Sequence, residues 1–305
     1  MDRMDIIEVA GLRKSYSGRA VVDGIDLTVR EGEVLGILGP NGAGKTTTVE
    51  LIGGLRPRDG GSVQVAGFDP THEDRVLREL LGIQLQEARQ PAKITVREAI
   101  DLYRTFYRAP RDTAELLARF GLTRHADTRF EHLSGGQRQR LSVALALVGR
   151  PRIAILDELT TGLDPAARRE IWRFLVDLKA DGLTIVLVTH SMEEAQFLCD
   201  RVAIVAEGRI TALDSPAELA HSGGHTLICF TTDQPPCTLD GLHDLPSVRE
   251  VTVTGSRVAV RTTARGPEQV LAYLTRADIR FDGLRITGPT LDDAYLALTA
   301  EEVDR

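Results

Sequence analysis

Cysteine is scarce in this chain. Cys199, Cys229 and Cys237 are the only three in 305 residues, and no two share a C-x-x-C spacing. That excludes a disulfide framework and a cysteine-rich metal site, leaving reduced structural thiols of a cytoplasmic protein as the expectation. Long apolar runs are missing as well. The longest, Val143–Val148, falls far short of the ~18 residues that a membrane-spanning helix needs, so any membrane role must come through a partner. The first residues carry Asp2, Asp5 and Glu8 with no apolar h-region, so no signal peptide is expected. Positive charge is not in excess. The formal net charge of -7 lacks the basic footprint of a nucleic-acid binder, and no nucleic-acid partner is expected. Long repeats and low-complexity tracts are absent too. With 42% hydrophobic and 27% charged residues the chain has the composition of a globular protein, long enough for one large or two ordinary domains.

What is present begins with Gly39-Pro40-Asn41-Gly42-Ala43-Gly44-Lys45-Thr46, which fits G-x-x-x-x-G-K-[ST]. The apolar run Val34–Leu38 precedes it and the helix start Thr47–Leu51 follows it. The glycines let backbone N–H groups turn inward on phosphate oxygens, and the helix opening at Lys45 adds its positive dipole end. Lys45 supplies a point charge for the β- and γ-phosphates, and Thr46 a hydroxyl for Mg²⁺. At average residue usage such a match arises by accident in roughly 1 in 100 chains of this length. The strand and helix on its flanks make accident rarer still, so a nucleotide site is expected, of a kind the loop alone does not specify.

Around this loop the pattern is α/β. Ile6–Ala10 and Val21–Val29 read as strands ahead of it, with Tyr16 between them as either an adenine-stacking ring or an edge residue under the strand. Ser62–Ala66 reads as a strand, 71–80 as a helix and Ile83–Leu85 as a short strand with Gln86 at its end. Gln84 and Gln86 alternate and share one face; a strand-end glutamine is ordinarily only a solvated polar residue. Helices over Thr95–Arg119, broken at Ala109-Pro110, interrupt the βα alternation and predict an inserted helical subdomain. Thr95 and Glu98 predict a capping box at the first of them.

Next come Leu133-Ser134-Gly135-Gly136-Gln137 and an amphipathic helix, either amides aimed at an anion or a glycine turn capped by Ser134. Ile153–Leu156 reads as a buried parallel strand ending in Asp157 and Glu158, where α/β sheets place ligands. An Asp there suits Mg²⁺, and a Glu beside it suits a base for water; an acidic loop capping the helix from Pro165 is the plainer alternative. Strand Thr184–Thr189 ends at His190, structural or catalytic. A hairpin around Glu207-Gly208 and a closing helix Ser215–Ala220 follow, then a linker at His221–Gly224. Beyond it, Thr226–Thr231 and a hairpin of Val248–Thr254 with Arg257–Arg261 read as antiparallel strands. A helix Pro267–Thr275, strands near Ile279 and over Leu284–Ile286, and a helix Leu291–Thr299 predict a small α+β domain of split βαβ type.

Together these pieces resemble the ATP-binding cassette family. Gly39–Thr46 matches its first phosphate motif, Gln86 its glutamine loop, Leu133–Gln137 its LSGGQ signature in full, Ile153–Glu158 its second phosphate motif and His190 its switch histidine; Gly162-Leu163-Asp164 is similar to its aspartate loop. Leu159 stands where most relatives have proline. The resemblance implies a P-loop NTPase cassette over residues 1–221, with a helical subdomain at about 87–150, and an accessory α+β domain over 222–305. It also implies ATP and Mg²⁺ as ligands. Nucleotide contacts then fall to Tyr16, Gly39, Pro40, Asn41, Gly42, Ala43, Gly44, Lys45, Thr46, Thr47, Gln86, Ser134, Gly135, Gly136, Gln137, Asp157 and Asp164. Thr46, Gln86 and Asp157 surround the metal; Glu158, His190 and Lys45 carry the catalysis.

A head-to-tail homodimer follows from the same resemblance, with ATP held between one subunit's phosphate loop and the other's signature. Such a subunit drives a separate transmembrane permease from the cytoplasmic face of the cell membrane. Residues Thr290–Thr299 are similar to the ending of drug-resistance efflux ATPases, which points to export. An importer ATPase is the alternative, and a soluble cassette ATPase outside transport a more remote one.

Overall fold

The computed structural model describes residues 4–72, 75–85, 90–160, 163–223, 225–263 and 266–300. Two long strands come first, β1 (Asp5–Tyr16) and β2 (Arg19–Arg30), followed by β3 (Val34–Leu38), α1 (Lys45–Ile52) and β4 (Gly60–Val65). β1 lies between β2 and β4 in a three-stranded antiparallel sheet. β1 and β2 both run longer than their β-branched segments suggest, their pairing continuing through four register shifts to Tyr16 opposite Arg19. Helix α2 (Arg75–Leu80) leads into β5 (Leu81–Gln84).

The helical insertion holds α3 (Val96–Arg104), α4 (Thr113–Arg119) and α5 (Gly135–Ala146). Thr95 and Glu98 form the expected capping box at α3, and Asp112 caps α4. After it come β6 (Ile153–Asp157), α6 (Pro165–Ala180), β7 (Thr184–Val188), α7 (Met192–Leu198), β8 (Arg201–Ala206) and β9 (Arg209–Asp214). These strands build a six-stranded sheet in the order β5-β6-β7-β3-β8-β9, parallel except for the β8–β9 hairpin. Every residue of β3, β6 and β7 is buried, as parallel strands covered on both faces must be. The main core joins this sheet to the three-stranded one, with Val49, Leu51 and Ile52 of α1 between them. Burial of these side chains at about 25 cal/mol per Å² fixes where β3 and β6 end, and hence where their polar termini stand.

The chain divides into two compact units, one ending at Ser215 and one beginning at Pro216. The division falls ahead of the expected boundary after residue 221, and the linker expected at His221–Gly224 is not one over its described part. Helix α8 (Pro216–Gly223) runs through it and packs on α10 (Leu291–Ala300), with Leu219, Ala220, Leu291 and Ala294 buried. Between them lie β10 (Thr226–Thr231), β11 (Val248–Thr254), β12 (Arg257–Thr262), α9 (Gly266–Arg276) and β13 (Asp282–Thr287). Their antiparallel order, β11-β12-β10-β13, is that of a split βαβ unit whose first helix has shrunk to the 3-10 segment Pro236–Leu242. No strand forms at Ile279, which is instead a buried core residue of this unit.

Candidate functional site

The sheet brings three polar strand ends together. β3 leads into the loop Gly39–Thr46, β6 delivers Asp157 and Glu158, and β7 leads to His190. The loop is pressed against its surroundings. A Cβ on Gly39 would stand 2.2 Å from the Val205 carbonyl oxygen, and one on Gly44, at φ +97°, 2.3 Å from that of Val21. Only glycine permits that close approach of the loop to its neighbours. Lys45 is buried and donates to the carbonyls of Gly39 at 2.8 Å and Pro40 at 2.9 Å. Burial lowers its pKa, opposed by the charges of Glu158 and then Asp157.

Thr46 Oγ1 donates to Asp157 Oδ2 at 3.0 Å, so the hydroxyl and carboxylate read separately in the sequence meet across the sheet. Asp157 is fully buried, and its Oδ1 has no hydrogen-bond partner among the described residues. Burial raises its pKa, the Thr46 hydroxyl lowers it, and the charge of Glu158 raises it again. A buried carboxylate oxygen without a partner, beside a threonine hydroxyl, is a donor set that suits a hard cation. Glu158 stands in a left-handed backbone conformation, φ +49°, with its N–H on the Val188 carbonyl. Its Oε1 lies 3.6 Å from His190 Nδ1. The phosphate loop, the acid pair and the histidine thus converge. Leu159, the departure from the family's proline, is fully buried directly behind Glu158.

The glycine-rich segment lies elsewhere. Ser134 is the N-cap of α5 and forms a reciprocal capping box with Gln137. Gly135, Gly136 and Gln137 open the helix and line, with Ser134, a pocket of about 450 Å³. Asp164 is on the same pocket and caps α6, its carboxyl held below the usual range by the N–H of Ala167 and that of Ala166. Among the described residues, no member of the phosphate loop lines this pocket. Tyr16 is exposed at the end of β1, its ring 5.5 Å from Lys14 Nζ and 6.0 Å from the Arg56 guanidinium. Gln86 lies outside the described residues, as does Gly162.

Two buried groups escaped the sequence reading. Gln84 is 2% exposed, and its amide donates to the Asp157 carbonyl at 3.3 Å. Its alternation with Gln86 was the one available signal. Glu194 is fully buried on α7 and accepts from both Thr160 Oγ1 and Trp172 Nε1 at 2.9 Å. An acidic residue in a first helical turn gives no hint of that.

A phosphate loop joined through Thr46 to a buried strand-end aspartate defines a P-loop nucleoside triphosphatase. The ABC transporter family model matches residues 22–161. Over 98% of its length the chain is 38% identical to the Nod factor export ATP-binding protein I of Rhizobium sp. (strain N33), covering 98% of that protein. It is 34% identical to the daunorubicin/doxorubicin resistance ATP-binding protein of Streptomyces peucetius, over 98% of this chain and 93% of that one. For the linearmycin resistance ATP-binding protein of Bacillus subtilis (strain 168) the values are 32%, 96% and 98%. Among solved structures, an ATP-binding cassette captured as a dimer in a post-hydrolysis state with ADP and Pi matches at 27% identity and a TM-score of 0.64. That match covers 68% of this chain and 98% of that one. An ABC transporter cassette from Clostridium perfringens matches at 31% and 0.63, covering 72% and 91%. The chain belongs to the ABC transporter family and is an ATP-binding cassette ATPase.

Proposed function

We propose that this ATPase is the energy-supplying subunit of an exporter, working as a homodimer that closes on two ATP molecules and drives a separate membrane permease. The observation that carries the reading is the division of the site. Lys45, Thr46, Asp157, Glu158 and His190 converge at one place, whereas Ser134 to Gln137 and Asp164 line another pocket. A second subunit turned head to tail supplies each phosphate loop with the signature it lacks. The export-named relatives and the solved dimeric cassette support the direction and the assembly.

In this reading Gly39–Thr47 and Lys45 hold the phosphates, with Pro40, Asn41 and Ala43 contributing loop backbone. Tyr16 stacks on the base. Thr46, Asp157 and Gln86 hold Mg²⁺, which when bound neutralises phosphate charge. Glu158 accepts the proton of the attacking water, His190 orients toward the γ-phosphate, and Asp164 couples the two sites. No helix among the described residues is long and apolar enough to cross a membrane. The exposed Leu102 and Phe106 lie in the helical insertion, where the permease would dock on the cytoplasmic face.

Ser134→Ala tests the division directly. Hydrolysis is expected to fall at least tenfold, while ATP titration of dilute single subunits gives an unchanged affinity. Equal loss of both would argue that Ser134 serves its own chain's nucleotide. Tyr16→Ala is expected to weaken ATP binding roughly fivefold, the low end for loss of one base–aromatic stack. Isothermal titration checks it, and an unaltered affinity returns Tyr16 to an edge role beside Lys14 and Arg56.

A further inference from the structure

The signature loop leans on a titratable side chain that the phosphate chemistry does not use. His125 ends the short 3-10 turn Thr123–His125, and its Nε2 lies 3.0 Å from Nε2 of Gln137. Two nitrogens in contact need one donor and one acceptor. Which is which is decided at the other end of the Gln137 amide. Its Oε1 accepts the backbone N–H of Ser134 at 2.9 Å, and a backbone N–H can only donate. The oxygen therefore belongs to Ser134 and the NH₂ faces the imidazole. His125 must accept at Nε2, which makes it neutral with its proton on Nδ1.

We propose that His125 is a positioning residue for the signature loop: as a neutral acceptor it holds the Gln137 amide, and through it Ser134, in the arrangement that engages nucleotide. The inference rests on the reading that Ser134 acts on the partner subunit's ATP. An imidazolium carries N–H at both ring nitrogens, so its Nε2–H would oppose the Gln137 NH₂. Turning the amide over relieves that clash but sets NH₂ against the Ser134 N–H. The first outcome leaves the Gln137 amide unheld by His125; the second breaks its Oε1 contact with Ser134, while the other half of the capping box, Gln137 N–H to Ser134 Oγ, is already 3.3 Å long. Ser134 is then free to rotate away. Two other charged groups line the same pocket among the described residues. They are Arg140 of α5 and Asp164 ahead of α6. Arg140 is itself ion-paired with Glu170, and Asp164 is tied to the α6 amides.

The full chain serves for the test, with His125→Gln, whose amide oxygen can accept at any pH, and His125→Arg, which can only donate. Ring carbon and nitrogen NMR above pH 8 should place the His125 proton on Nδ1, the signal being assigned by its loss in His125→Gln. Steady-state ATP hydrolysis is then followed between roughly pH 5 and 8, the histidine range. Wild type should lose roughly fivefold more activity on the acid side than His125→Gln, the equivalent of a lost N-cap. Both should share whatever acid loss His190 contributes. His125→Arg should be depressed roughly fivefold at every pH, with single-subunit ATP affinity retained. Superimposable profiles for wild type and His125→Gln, or a proton on Nε2, would overturn the proposal. An inert Ser134→Ala would instead overturn the reading beneath it, whatever the tautomer.

Discussion

With Glu158 replaced by glutamine, ATP turnover is expected to fall by about 10²–10⁴-fold, the range a positioned general base contributes. ATP itself should still bind, and the chain should accumulate as a dimer under Mg-ATP. The amide keeps the size of the carboxylate, and Glu158 Oε1 already stands beside His190. What is removed is the capacity to accept a proton. Binding survives because Lys45 keeps its two carbonyl partners and Thr46 keeps Asp157. Phosphate release measures the first effect, and light scattering with and without Mg-ATP the second. A variant that stays monomeric in saturating Mg-ATP would sink the sandwich arrangement.

Lys45→Ala should strike binding rather than turnover alone, lowering ATP affinity by roughly 10–150-fold, the equivalent of one charge-assisted hydrogen bond. The ammonium is buried, which lowers its pKa, and the charges of Glu158 and then Asp157 oppose that lowering. Its removal strips the pocket of a cation and leaves those two carboxylates facing the phosphates without it. The carbonyls of Gly39 and Pro40 also lose their donor. Titration with a fluorescent nucleotide analogue checks the affinity, and a parallel thermal melt separates it from unfolding. An affinity within a factor of two of wild type would show that the loop amides suffice.

The contrast between these two variants was already readable from residue types. A Gly-rich loop between an apolar strand and a helix, and a buried strand ending in Asp-Glu, carry their chemistry in short segments where local geometry decides the outcome. The Thr95–Glu98 capping box is equally local, and the structure forms it. What escaped the sequence depends on partners distant along the chain. Gln84 is buried because β5 pairs with β6 and sets its amide on Asp157. Glu194 is buried because Trp172 and Thr160 fold onto it from α6 and the turn after β6. Residues 221–223 read as a linker because glycine and serine break helices, yet α8 continues where its packing on α10 outweighs about 1 kcal/mol per glycine. His125 is a similar case, since nothing in its spacing announces that it meets Gln137.

Trp172 is the only tryptophan in the chain, and its indole shares a carboxylate oxygen with the hydroxyl of Thr160. That oxygen belongs to α7, the helix that begins just after His190, while Thr160 follows Glu158 by two positions. The protein therefore carries a single native fluorophore hydrogen-bonded to α7 and, through Glu194, to the turn that follows β6. Its emission offers a label-free optical readout of where α7 meets the turn after β6.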